Sequence, residues 1–255
     1  MNSLSAHEQL AQWHRHGAWR RDAAWGAQPT GFAELDARLP GGGWPIGAIA
    51  ELMPEFTGIG ELRLVTPALA ALARAGRYIA WIAPPLLPYA PALAGAGLPL
   101  ERVLIIRTGD LKESLWAMEQ TLRCPLFGAV LGWPASIADR NLRRLQLAAE
   151  AGGSLGILYR PPSAAQERSP AALRLRLSAS RPPLTDGPSM EIQPAAEIQP
   201  AAEIQLAVEI QKVRGGRAGM QLRLSLAPAR QQPAGPVDIG IDDALALHTP
   251  AAAGI

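Results

Sequence analysis

The sequence predicts an α/β fold: a mainly parallel sheet flanked by helices, with a C-terminal antiparallel hairpin. Three observations carry this. Between residues 47 and 159, short apolar runs alternate with helical stripes. Those runs are continuously apolar, as in strands covered on both faces. After residue 173 the pattern changes to apolar–polar alternation, the mark of half-exposed antiparallel strands.

Taken in order, residues 4–20 read as an amphipathic helix, with Leu4, His7, Leu10, Ala11 and Trp13 at helical spacing and Gly17 at its end. It belongs to an N-terminal arm, residues 1–29, that either docks on a partner or caps its own sheet. Trp13, Trp19 and Trp25 make that arm a candidate for partner docking. A core domain spans 30–226. Thr30 is placed to cap a short helix over 31–39, closed by Pro40 and Gly41-Gly42-Gly43. Residues 47–53 predict a strand, and 60–75 a helix carrying Leu62, Val65, Leu69 and Leu72. Pro67 requires that helix to be kinked or to start later than Gly60.

Four more core strands are predicted at 78–83, 103–106, 126–133 and 155–159. Helices are predicted at 112–122 and around Leu142, Leu145 and Ala149, and 84–91 is a proline-rich connection. Residues 173–179, 204–213 and 220–226 supply the C-terminal strands, the last two turning at Gly215-Gly216. Before them, Glu191-Ile192-Gln193-Pro194-Ala195-Ala196 begins a six-residue repeat. The insert that holds it, 180–202, is expected to be disordered, and 227–255 a flexible tail.

Composition narrows the function classes. A chain of 255 residues, 48% hydrophobic, buries one full core. The net charge of +2 argues against a strongly cationic nucleic-acid binder. Cys124 stands alone, which excludes an intrachain disulfide and a cysteine cluster. The start lacks the pattern of a signal peptide, and no uninterrupted apolar stretch reaches membrane-spanning length, so a cytoplasmic protein with no membrane partner is expected. His7, His14, His16 and His248 lie outside the core, and no metal site is expected. Ser154 lacks the spacing of a nucleophile elbow, and most of the seven tryptophans read as core or hinge residues.

The segment 30–73 resembles the start of the RecA core. Thr30-Gly31, Leu35-Asp36, Gly41-Gly42 and Pro45-Ile46-Gly47 come in that order, followed by a strand with Glu51. A phosphate-binding loop would come next, as glycine, four residues, then Gly-Lys-Ser/Thr. Here Met53 stands at the first glycine, Gly58 survives, Ile59 replaces the lysine and Gly60 the hydroxyl residue. Isoleucine cannot reach phosphates, and glycine cannot hold Mg²⁺. The strand 126–133 ends in Gly132-Trp133, where a metal-ordering aspartate belongs. Residues 80–82 are Ala, Trp and Ile, where an acidic water-activating residue belongs. No nucleotide binding, no catalytic residue and no cofactor is expected.

A RecA-like start, a dead phosphate loop and a shortened core together resemble the ImuA family, related to RecA and SulA. The residues that carry the resemblance are Trp19-Arg20, 39–45, Gly58-Ile59-Gly60-Glu61-Leu62-Arg63 and 152–161. It implies a non-catalytic accessory role in damage-induced translesion DNA synthesis. The implied partners are RecA, an ImuB-type Y-family polymerase homologue and an error-prone replicative-type polymerase. Residues 58–161 also resemble SulA, which implies division inhibition through FtsZ as the alternative; a nucleotide-binding regulator without hydrolysis is another. Lys212, Arg214 and Arg217 around the predicted turn are candidates for single-stranded DNA or partner contact. Gln221-Leu222-Arg223-Leu224 loosely resembles a clamp-binding peptide but reads as a strand. The segment 237–247, with Asp238, Asp242 and Asp243 among apolar residues, is either a solvated tail or folds on a partner.

Overall fold

The computed structural model describes residues 26–179 and 204–226. The predicted N-terminal helix, the arm's Trp13, Trp19 and Trp25, the repeat insert, the four histidines and the tail lie outside the described residues.

A two-stranded ribbon, β1 (Ala27–Gln28) and β2 (Trp44–Pro45), introduces the domain. Between them lie a one-turn helix, α1 (Ala33–Asp36), and a 3-10 turn, Pro40–Gly42. Thr30 does not cap α1, whose N-cap position is Phe32. Instead its hydroxyl accepts from the Phe32 N–H, while its own N–H donates to the Asp36 carboxylate at 2.8 Å. That local turn competes with helix and shortens the expected 31–39 element.

The core continues β3 (Ile49–Pro54), α2 (Glu61–Arg74), β4 (Tyr78–Ile82), α3 (Ala90–Gly95), β5 (Val103–Ile106), α4 (Leu111–Arg123), β6 (Phe127–Gly132), α5 (Asp139–Gly152) and β7 (Leu155–Tyr159). Three strands close it: β8 (Leu173–Ala179), β9 (Ile204–Val213) and β10 (Met220–Leu226). All eight strands from β3 to β10 join one sheet in the order β10-β9-β8-β3-β7-β6-β4-β5. The three C-terminal strands pair antiparallel with one another, as alternation predicted, but β8 also pairs parallel with β3 and so joins them to the parallel sheet. The reason is the loop 160–172, which carries the chain back across the sheet before β8 begins.

Helix α2 starts at Glu61, directly after its N-cap Gly60, and continues as one helix on both sides of Pro67. The Pro67 ring packs against Gly31, where a side chain on that glycine would collide with it. Proline's missing N–H leaves one carbonyl of the helix unpaired, and the helix tolerates this because its packed face holds it. Helix α3, which begins at the end of the proline-rich stretch and runs beyond it, was not legible from the sequence.

Two clusters fill the two faces of the sheet. Leu64, Val65, Ala68 and Leu69 of α2 meet Leu175, Leu177, Val208 and Leu224 on one face. Met118, Leu122, Leu142 and Leu145 of α4 and α5 meet Ile49, Val130 and Leu158 on the other. No helix of the described residues is long and apolar enough to cross a membrane.

Candidate functional site

In an open parallel sheet, ligands bind beyond the carboxyl ends of the strands. Here that region is the loop from Glu55 to Gly60, between β3 and α2. Gly58 and Gly60 both take positive φ, 95° and 106°, which turns their N–H groups toward the start of the helix. Such a loop cradles anions. The anion it holds is its own: the Gly58 N–H donates to both oxygens of the Glu61 carboxylate, at 2.9 and 3.0 Å, and the Gly60 N–H donates at 3.2 Å. Glu61 is the first residue of α2 and is buried. A carboxylate there also gains from the positive end of the helix dipole. An incoming phosphate would have to displace it.

The residues in the lysine and hydroxyl positions are closed off as well. Ile59 is buried in the core. Gly60 sits against the C-terminal strands, and a Cβ there would lie 2.7 Å from Leu226 Cδ1. Met53, at the first glycine position, is fully buried, with its sulfur 3.7 Å from Arg174 Nη2.

The ends of β4, β6 and β7 carry aromatic rings where acidic groups would serve a nucleotide. Trp133 stacks on Tyr159 at 5.1 Å and leans against Trp81 at 5.8 Å. At Gly132 a Cβ would meet Met118 Cε at 2.1 Å, so the end of that methionine would have to move to admit a side chain. Tyr159 donates to the Glu61 carbonyl at 3.4 Å. Burial first, and then the nearby Glu61 charge, push its phenol well above the usual range. Among the described residues, no group of three or more His, Cys, Asp or Glu could hold a metal.

The sequence reading missed a second buried anion. Glu51 is fully buried in β3, between Arg160 Nη1 at 2.9 Å and Arg174 Nε at 2.8 Å. Arg160 also binds Glu167 at 2.8 Å, and Arg174 reaches the carbonyls of Glu167 and Ala164. The signal was present, because Glu51 is a charge inside a continuous apolar run and demands partners.

The basic residues at the hairpin differ in exposure. Lys212 is paired in register with Arg174, and its Nζ donates to the Ser169 carbonyl at 2.5 Å. Burial, then the positive charges of Arg214 and Arg174, lower its pKa. Arg214 and Arg217 are exposed in the turn beyond β9. Gln221 to Leu224 lie in β10 with Leu222 and Leu224 buried, as a strand requires. Ser154 is fully buried and donates to the Phe127 carbonyl at 2.7 Å. Trp44 and Trp81 are core residues, but Trp116 is 64% exposed on α4, a correction to its reading as core or hinge. It lies on the helix's outer side, two positions before Met118, which with Leu122 takes the buried side.

With this geometry in place, comparison with known proteins adds the following. Residues 47–156 match the family model described as cell division inhibitor SulA. The chain is similar to the cell division inhibitor SulA of Edwardsiella piscicida, 35% identical over 98 residues, covering 38% of this chain and 58% of that one. It is similar to Protein ImuA of Caulobacter vibrioides, 32% identical over 144 residues, covering 52% of this chain and 57% of that one. The chain thus spans rather less than two thirds of the length of these curated relatives. The crystal structure of the RadB recombinase has the same fold, with a TM-score of 0.57 at 15% identity, covering 80% of this chain and 97% of that one. The RecA-like fold and the resemblance to ImuA read from the sequence are borne out.

Proposed function

We propose that this ImuA-like chain is a non-catalytic accessory protein of the DNA-damage response, acting in damage-induced translesion synthesis. In this reading it is a RecA-shaped body that binds partners and turns over no nucleotide. The observation that carries it is the Glu61 carboxylate seated on the Gly58 and Gly60 N–H groups. A loop satisfied by its own side chain keeps the fold of a nucleotide site and offers no cradle for a γ-phosphate. The aromatic stack of Trp81, Trp133 and Tyr159 supports the same reading, and it weighs against a nucleotide-binding regulator. The partners in this reading are RecA and an ImuB-type polymerase homologue, with an error-prone replicative-type polymerase beside them.

A second reading, division inhibition through FtsZ, is favoured by the match to the SulA family model. That match stops before β8, β9 and β10, three strands that join the central sheet beside β3. It also begins after Trp44 and Leu39, which belong to the same core. The longer body is what favours the ImuA-like reading.

Affinity capture of the tagged protein from damaged cells separates the two. Recovery of RecA or an ImuB-type protein without FtsZ is expected, together with no ATP binding by equilibrium dialysis. Recovery of FtsZ alone, with filamentous growth on overexpression, would replace this reading with the second. Measurable ATP turnover, lost in an Ile59 variant, would overturn the non-catalytic part.

A further inference from the structure

We propose that the groove between α4 and α5 is the docking site for the chain's own acidic segment, residues 237–247. The groove has a volume of about 580 Å³. Leu111, Leu115, Trp116 and Leu145 line it, and Lys112 and Arg140 stand at its rim. Trp116 and Leu111 are exposed by 64% and 45%, so a large apolar surface lies open to water.

The charge of the groove selects the occupant. Every carboxylate beside it is already engaged. Glu119 binds Arg123 at 2.9 Å and Arg144 at 2.5 Å; Asp139 binds Arg143 at 2.8 Å; and Glu113 accepts from the Gly109 N–H at 2.8 Å. Lys112 and Arg140 are exposed and carry no ion pair among the described residues. The groove therefore fits a segment that brings apolar side chains and carboxylates together and no cation. Residues 237–247 read Val-Asp-Ile-Gly-Ile-Asp-Asp-Ala-Leu-Ala-Leu. Val237, Ile241 and Leu245 recur every fourth residue, with Asp238 and Asp242 beside them, the spacing that puts an apolar stripe next to an acidic one on a helix.

The tether reaches. Leu226 ends β10 at the carboxyl end of the parallel strands, against Gly60. The groove is lined by the first halves of α4 and α5, which follow β5 and β6 and so open at the same end. Four strand spacings separate β10 from β7, about 19 Å, and a helix layer adds about 10 Å. Residues 227–236 span up to about 33 Å when extended. Tethering also holds the segment at a high effective concentration, which offsets the weakness of a single short contact.

Lys112 and Lys212 are the only lysines, which makes a clean test on the full chain. Zero-length carbodiimide cross-linking followed by peptide mass spectrometry should join Lys112 to Asp238, Asp242 or Asp243 within one chain. The yield should fall about tenfold in W116A and in an R140E variant, the size expected from a few weak contacts. It should also collapse in about 1 M salt, where the Debye length is about 3 Å. Both substitutions are at exposed positions, so circular dichroism should report an unchanged fold. A mixture of heavy-isotope-labelled and unlabelled protein separates cis from trans docking. Links only between differently labelled chains would overturn the proposal in favour of a second copy. Absence of any link from Lys112 to the segment, while Lys112 still reacts with added carboxylate, would overturn it outright.

Discussion

Glu51 and Glu61 lie ten positions apart on the same strand, loop and helix, and both are buried, yet their charges are held in opposite ways. Glu51 sits in mid-sheet between two arginine side chains. Glu61 sits at the sheet's end and is held mostly by backbone N–H groups. The first arrangement couples distant segments, since Arg160 and Arg174 come from the end of β7 and from β8. The second is local, because every partner lies within three residues. The long-range network locks β8 to β3, whereas the local one seals a loop.

The largest effect is expected at Glu51. Glu51→Ala would leave two buried guanidinium groups without their anion, and breaking a buried pair this way costs about 3–5 kcal/mol. Denaturant unfolding of the variant should show that loss, and a wild-type midpoint would mean the arginines find water or Glu167 instead. Glu61→Ala should cost less, about 1–3 kcal/mol, for donors left unsatisfied. It should also open the cradle. Phosphate should then raise the variant's Tm more than chloride does at equal ionic strength, with no such difference in the wild type. If both proteins respond alike, the loop is not an emptied anion site.

Tyr159 sharpens the same contrast through pH. Its phenol is raised in the folded state, so the unfolded chain loses its proton first as pH climbs. Stability from this group is full below about pH 10 and falls above it, by about 1.4 kcal/mol per pH unit while only the unfolded state is ionised. Tyr159→Phe should remove that part of the slope, which urea titrations between neutral and alkaline pH would detect. The smallest effect is expected from deleting residues 185–202. Cutting the β8–β9 connection to about a quarter of its length should change stability by only about 1 kcal/mol, two halvings at about 0.6 each. A large fall in Tm would show that the insert packs on the core.

Much of this architecture was legible because burial and backbone periodicity write themselves into local sequence. β5, β7, β8, β9 and β10 fall where apolar runs or alternation placed them. The losses at Met53, Ile59 and Gly60 were equally local, since a phosphate loop is a fixed spacing of residue types. What stayed hidden was pairing across distance. Nothing near Glu51 in sequence announces Arg160 or Arg174, and the parallel placement of β8 follows from a crossover that alternation cannot report. Nothing local marks Glu61 as a stand-in for a ligand, and only the hydrogen bonds made by the positive-φ glycines show it occupying the ligand's place. Trp116 was misread because a tryptophan is ordinarily buried, and its neighbours Ala117 and Met118 take the buried side instead.

The register of β8 against β9 has a genetic consequence. Ala179 lies opposite Leu206, so the two chain ends that flank the insert are fixed side by side by the sheet itself. A six-residue unit corresponds to a whole number of codons, and a polymerase slipping on its coding repeat would add or remove units without shifting the reading frame. Because both ends are anchored, the strands on either side do not need to change partners when that happens. If deleting the insert leaves stability unchanged, a population carrying this gene would vary in repeat number while the folded body, the sealed loop and the α4–α5 groove pass unaltered from one length variant to the next.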